Sequence, residues 1–178
     1  MKTKAISMAE MRRKALMTAL MVSVAVILPQ ICHLLGGQLG YGSKLGEMLL
    51  PMHLPVMMAG MLWGTWAGFA CGIISPMVSF ALTGMPGVAL LPFMTVELAV
   101  YGLSAGLLRK TNLPTILQVV LTQVAGRVAR AAVLAVAIYG FGFARLPMSI
   151  VWTSISVGVA GIAIQWAVLP LVAREGKR

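Results

Sequence analysis

Charged residues are scarce in this sequence. Of its 178 residues, 10% are charged and 60% are hydrophobic, and the mean hydropathy is +0.94. Soluble domains carry about 25% charged residues. This shortage, together with long apolar runs between Ala15 and Ala173, excludes an ordinary soluble fold. It predicts an all-α integral membrane protein.

The residues that most often carry chemistry are also few. The chain has two cysteines, two histidines and no aspartate. Cys32 and Cys71 lie inside apolar runs without metal-type spacing, so neither a disulfide framework nor a metal centre is predicted. The sequence contains no Walker-type glycine loop and no arrangement typical of a nucleophilic enzyme. We therefore predict no enzymatic activity, no ATP hydrolysis by this chain and no cofactor.

Positive charge is present in excess and is unevenly distributed. The formal net charge is +10, and ten of the fourteen lysines and arginines fall in residues 1–14, at Arg109-Lys110 and in residues 174–178. Only Lys44 and Arg145 fall in loops predicted on the opposite side. By the positive-inside rule both termini are predicted to be cytoplasmic, with residues 1–14 as a basic cytoplasmic segment. The surface cations are expected to contact anionic lipid head groups rather than nucleic acid.

The apolar runs predict one membrane domain, residues 1–178, with six spans and both termini inside. The first run is longer than the apolar core of a signal peptide, so it is interpreted as a retained span. Pro51 and Pro55 are expected to interrupt span two, and outer loops are expected at residues 36–46, 83–87 and 141–147. The predicted spans are Ala15–Leu35, Glu47–Trp63, Thr65–Leu82, Leu90–Leu108, Leu113–Phe141 and Met148–Ala173.

Small residues recur every four positions in two places. Ala15, Ala19 and Ser23 form a stripe on span one, which could pack on a neighbouring span or dock a separate protein. Glycines at positions 60, 64, 68 and 72 are interpreted as close packing of helices without a further function.

A few ionisable residues lie deep within the predicted spans. Glu97 on span four and Arg127 on span five fall at similar depths, and Arg130 lies one turn further out than Arg127. A Glu97–Arg127 ion pair that only tethers two helices would leave Arg130 without an acid. An unpaired buried cation is costly, so we favour a solvated, outward-facing pocket for a ligand with a carboxylate or phosphate. Arg130 could instead extend towards the outer surface.

Other polar and aromatic residues come to comparable depths. Tyr101 shares a face with Glu97, and Gln123 lies one turn further in than Arg127. His53 could line the pocket mouth or face interfacial water. The predicted substrate-binding residues are Glu97, Arg127, Arg130, Tyr101, His53, Gln123, Trp152 and Ser156.

The order and spacing of several motifs resemble the S-components, or substrate-binding subunits, of energy-coupling factor (ECF) type ABC transporters. The likeness covers most of the chain. The residues that carry it are Leu50–Val56 (LPMHLPV), Gly60, Gly64, Gly68, Gly72, Ser75-Pro76, Pro86, Glu97, Tyr101-Gly102 and Gly106–Leu108.

The resemblance implies a six-helix protein of the prokaryotic plasma membrane that captures a vitamin or related micronutrient from outside. It also implies docking onto a transmembrane coupling subunit carried by two cytosolic ATPases, through an alanine-x-x-x-alanine face that Ala15 and Ala19 match, with Ser23 continuing the stripe. Metal-ion importers of this kind carry a histidine at position two, where this chain has Lys2. Two other hypotheses are a structural protein of the cell-wall elongation machinery and a small intramembrane enzyme using Glu97 and His53.

Overall fold

The computed structural model describes residues 7–42 and 44–175, with side chains described to residue 173. This part of the chain is all-helical, as predicted. The α-helices are α1 Met8–Gln38, α2 Lys44–Leu49, α3 His53–Trp63, α4 Thr65–Thr83, α5 Leu91–Leu108, α6 Thr115–Ala135, α7 Ile150–Val157 and α8 Val159–Glu175. A π-helical segment, Val136–Gly140, continues α6.

Five helical stretches of the described residues are long and apolar enough to cross a membrane. Two of them are composite, because Lys44–Trp63 joins α2 to α3 and Thr115–Gly140 joins α6 to the π-helical segment. A sixth span results if α7 and α8 count as one bent span. The predicted class, an all-α membrane protein with up to six spans, is confirmed, while the orientation of the termini remains a prediction.

The first span is longer at both ends than its apolar run. Met8–Gln38 includes Arg12, Arg13 and Lys14, which the sequence assigned to a basic segment, and residues 1–6 of that segment lie outside the described residues. The side chain of Ser7 caps the first turn by accepting a hydrogen bond from the Glu10 amide. The predicted outer loop 36–46 is correspondingly too long, because α2 already begins at Lys44.

Span two is broken at Leu50–Met52 rather than at both prolines. Leu50 has a positive φ of 47°, and Pro51 follows it. The expected interruption at Pro55 is wrong, because this residue lies in the first turn of α3. Proline is tolerated there because the first amides of a helix lack intrahelical acceptors.

Span six bends instead of running straight. The axes of α7 and α8 differ by 60° across Gly158. A Cβ atom at Gly158 would lie 2.8 Å from Cδ1 of Leu50, so the bend of span six packs on the break of span two. The span predicted for Met148–Ala173 is therefore made of two helices joined at this bend.

Helix α5 packs closely against α3 and α4 through glycines. A Cβ at Gly60 or Gly68 would collide with the carbonyl oxygen of Gly102, and one at Gly72 would collide with that of Leu98. The predicted close packing is thus confirmed for three of the four glycines. Gly64 instead has a φ of 103° and separates α3 from α4.

Helix α1 buries only part of its surface. Ala25, Val26, Pro29 and Cys32 are buried against the bundle. The predicted stripe of Ala15, Ala19 and Ser23 is exposed along its whole length. The stripe therefore does not pack on another described span of this chain.

Candidate functional site

The buried polar residues are brought together by four helices. Glu97 and Tyr101 lie four residues apart on α5, and Arg127 and Arg130 lie three apart on α6, so each pair shares a helix face. His53 is the first residue of α3, directly after the break in span two. Ser154 comes from the short helix α7, before the bend at Gly158.

Glu97 is the centre of this cluster and is 0% exposed. Its Oε1 accepts a hydrogen bond from the Tyr101 hydroxyl at 3.3 Å and lies 3.2 Å from Nε of Arg127. Its Oε2 accepts a hydrogen bond from Nη1 of Arg130 at 3.0 Å. A single carboxylate therefore pairs with two guanidinium groups, and these three side chains carry a net charge of +1.

This geometry corrects two expectations about Arg130. Its side chain is 7% exposed, so it does not extend to the outer surface. Arg130 also has an acidic partner. Because Arg127 and Arg130 are three residues apart on one helix face, each guanidinium group contacts a different carboxylate oxygen of Glu97. The excess positive charge nevertheless remains.

Ser154 is a member of the cluster that the sequence prediction missed. Its Oγ accepts hydrogen bonds from Nη1 of Arg127 at 2.7 Å and from Nη1 of Arg130 at 3.4 Å. The same hydroxyl donates to the carbonyl of Val151 at 2.9 Å. The predicted Ser156 is instead exposed and bonds to the carbonyl of Thr153. Positions two apart on a helix differ by about 200° in direction, so only one of these serines can face the arginines.

His53 is buried against Glu97 and Tyr101 rather than facing interfacial water. It is 4% exposed, and its ring stands edge-on to that of Tyr101 with the centroids 5.2 Å apart. Its Nε2 lies 3.9 Å from Oε1 of Glu97, too far for a hydrogen bond. Among the described residues, neither ring nitrogen of His53 has a hydrogen-bond partner, and neither does Nε of Arg130.

A cavity of about 300 Å³ lies beside the cluster. Glu97, Arg130, His53 and Ser154 are among the residues that line it. Two of the three ionised side chains, Glu97 and Arg130, therefore border a cavity rather than a fully packed core. The other lining residues are Pro29, His33, Gly46, Glu47, Leu50, Pro51, Met52, Ser79, Met85, Pro86, Gly87, Leu90, Met94, Ile150, Thr153 and Val157.

Three predicted site residues are not brought to this cavity. Gln123 donates a hydrogen bond to Gln165 at 2.8 Å and accepts one from the indole of Trp166, which links α6 to α8. Trp152 is 71% exposed and Ser156 is exposed, both pointing away from the arginines. Arg127 and Tyr101 contact Glu97 without being among the described residues that line the cavity.

Two further residues that line the cavity, His33 and Glu47, were not predicted as site residues. Glu47 was placed only at the start of span two. The early start of α2 brings Gly46 against the His33 ring, so that a Cβ there would lie 2.8 Å from Cε1. In the part of the chain that the structure describes, no group of three or more His, Cys, Asp or Glu side chains could hold a metal ion.

The fold and the site together define a polytopic helical membrane protein with a ligand-sized cavity around buried charges. The family model for the substrate-specific component of ECF transporters matches residues 13–173. The chain therefore belongs to the family of ECF transporter substrate-specific components. These are integral membrane subunits that bind a small-molecule substrate for transport and are not enzymes.

The comparison with curated proteins and the comparison with solved structures both return no match. The family match covers most of the chain and confirms the resemblance drawn from its motifs. It does not favour a structural role in cell-wall elongation.

Proposed function

We propose that this chain captures a vitamin or related micronutrient from outside a prokaryotic cell, in the cavity beside Glu97. The single observation that carries the proposal is that Arg130 lines this cavity and has a buried Nε without a partner among the described residues. A buried guanidinium with an unused donor is costly unless a ligand or water meets it. A ligand bearing a carboxylate or phosphate supplies the missing acceptor and neutralises the excess charge.

The remaining cluster residues hold Arg130 in place. Glu97 binds one edge of its guanidinium group, and Arg127 and Tyr101 in turn hold Glu97. Site groups are most effective when neighbouring residues fix their orientation before the ligand arrives. Arg127→Ala and Glu97→Ala are therefore expected to weaken ligand binding as well, although neither change removes the proposed contact itself.

Delivery inwards is proposed to require partners. The exposed stripe of Ala15, Ala19 and Ser23 would dock the chain onto a transmembrane coupling subunit, and two cytosolic ATPases would supply the energy. Small residues suit this role because they let a partner helix approach closely within lipid. Both termini of the chain would then be cytoplasmic.

The test is to purify the protein from its host membrane, release any bound small molecule and identify it by mass spectrometry. Arg130→Gln should reduce the bound ligand at least tenfold, because a hydrogen bond to a charged group contributes about 1.5–3 kcal/mol. Arg145→Gln is the matched control, because Arg145 is exposed in the loop before α7. Equal ligand content in Arg130→Gln and the wild type would refute the cavity as the binding site.

A further inference from the structure

The charged residues around the cavity limit the net charge that a bound ligand can carry. Counting histidine as neutral, the charged side chains on the wall are Arg130, Glu97 and Glu47, all within the described residues. Arg127 adds one positive charge through its contact with Glu97. The buried cluster therefore carries +1, and Glu47 adds a separate, exposed negative charge at the wall.

Two side chains that line the cavity have buried polar atoms without a partner among the described residues. Nε of Arg130 is a donor, and neutral imidazole at His53 offers one donor and one acceptor. Both side chains are more than nine-tenths buried, and both line the cavity. Each also lies near Glu97, so the two groups converge on one end of the space.

Most of the remaining wall is apolar. Side chains from four separate parts of the chain contribute to it, namely Pro29, Leu50, Leu90, Met94, Ile150 and Val157. Such walls bind hydrocarbon and exclude charge, so the body of the ligand must be largely apolar. The polar part of the ligand is therefore confined to the end near Arg130 and His53.

A phosphate monoester fits this arrangement poorly. It carries about −1.5 to −2 charges and three acceptor oxygens. Only one excess positive charge is available in the cluster, and Glu97 and Glu47 would both repel the second negative charge. A carboxylate carries a single charge and two coplanar oxygens, which suit the edge of one guanidinium group.

We propose that the ligand is a small amphipathic monocarboxylate whose acid group binds Arg130, with a hydrogen-bonding group in reach of His53. This inference rests on the proposed function and narrows its substrate class. It makes Arg130 and His53 the residues that determine specificity, while Glu97 is a positioning residue. Glu47 discriminates against ligands with a second negative charge.

The deciding experiment is functional-group analysis of the small molecule released from the wild-type protein. A single carboxyl group without phosphorus is expected. A phosphorylated, polyanionic, cationic or uncharged ligand would overturn this inference and leave the proposed function standing. Absence of any specific ligand, in both release and uptake assays, would instead refute the proposed function.

If no molecule is retained through purification, three probe compounds that differ only in their polar end group test the preference for a carboxylate. Hydrocinnamate, its amide and phenethyl phosphate share a phenyl ring on a short alkyl chain. Hydrocinnamate should raise the melting temperature of the protein in nanodiscs more than the other two, and Arg130→Gln should abolish this preference. The absence of a preference for the carboxylate in the wild type overturns the inference.

Glu47 provides a test in a variant whose folding should be unaffected, because the side chain is exposed. Glu47→Gln should strengthen phenethyl phosphate binding by about two- to fivefold at low salt, and less at high salt. The control is Glu10→Gln, at the far end of α1, where Glu10 pairs only with Lys14 among the described residues. Identical phosphate binding in Glu47→Gln and the wild type would show that Glu47 does not select on charge.

Discussion

At the scale of single residues, the site consists of charges that satisfy one another incompletely. Two guanidinium groups share Glu97, and the hydroxyl of Ser154 bridges them from α7. Within an apolar layer such a cluster is costly to bury, and polar groups retained there usually bind something. The Nε of Arg130 is buried without a partner among the described residues, and the Arg130 side chain lines the cavity.

Ser154→Ala should weaken binding of the released ligand by about tenfold, because loss of a hydrogen bond to a charged group costs about 1.5 kcal/mol. Both arginines lose an acceptor in this variant. Isothermal titration of ligand-free protein gives the dissociation constant. Ser156→Ala is the matched control on the same helix and should bind like the wild type. Equal affinity in the two variants would show that Ser154 does not hold the arginines in their binding geometry.

At the scale of helices, the cavity lies where two spans are broken. The break at Leu50–Met52 and the bend at Gly158 pack on each other, and Leu50, Met52 and Val157 line the cavity beside them. Interrupted helices within a membrane free backbone groups that neighbouring protein must satisfy, and such sites recur around transported ligands. The intact pair α5 and α6 supplies the charged side chains opposite these breaks.

The contact between α5 and α6 depends on Gly126. A Cβ at this position would lie 2.6 Å from Cδ1 and Cε1 of Tyr101. Gly126→Ala should therefore displace the Tyr101 ring, break its bond to Glu97 and destabilise the protein by about 1–3 kcal/mol. Thermal unfolding in detergent or nanodiscs measures this loss.

Gly37→Ala is the matched control, because a Cβ on this helical glycine meets nothing within 4 Å. It should leave stability unchanged or raise it slightly. The double variant Gly126→Ala with Tyr101→Leu should lose less stability than the sum of the two single losses, because removing the Tyr101 ring also removes its clash with the new Cβ. Strict additivity would argue against the proposed contact.

At the scale of the whole molecule, one stripe of α1 lacks a neighbour among the described residues. The stripe of Ala15, Ala19 and Ser23 is exposed, while the residues that this helix buries lie further along it, from Ala25 onwards. The stripe and the cavity involve different residues, so capture and delivery of the ligand should be separable by mutation. Membership of the substrate-specific component family makes a docking partner the proposed occupant of this face.

Ala15→Leu and Ala19→Leu should leave ligand binding unchanged and reduce uptake at least tenfold, because larger side chains prevent close approach of a partner helix. Uptake of labelled ligand is measured in cells that contain the coupling subunit and ATPases. Ala132→Leu, at an exposed position on α6, is the control and should transport normally. Wild-type uptake in both stripe variants would place the docking surface elsewhere.

The sequence alone determined the class of the protein and the approximate positions of its helices, and it predicted similar depths for Glu97 and Arg127. These follow from local composition, because apolar run lengths identify spans and depth along a helix increases by 1.5 Å per residue. The direction in which a side chain points changes by about 100° per residue around the helix axis. An error of two positions therefore places a side chain on nearly the opposite face of the helix. For this reason Ser156 was predicted where Ser154 binds, and Trp152 was predicted at a site that it does not face.

Only the tertiary structure decided which groups meet. The pairing of both arginines with Glu97, the contact between Leu50 and Gly158 and the approach of Glu47 to the cavity all join residues far apart in the chain. Such contacts depend on how complete helices pack, and no local pattern encodes that packing. The sequence could therefore identify the charged residues of a site. Which of their charges face one cavity, and so which ligand charge the site prefers, depends on the packing of the helices.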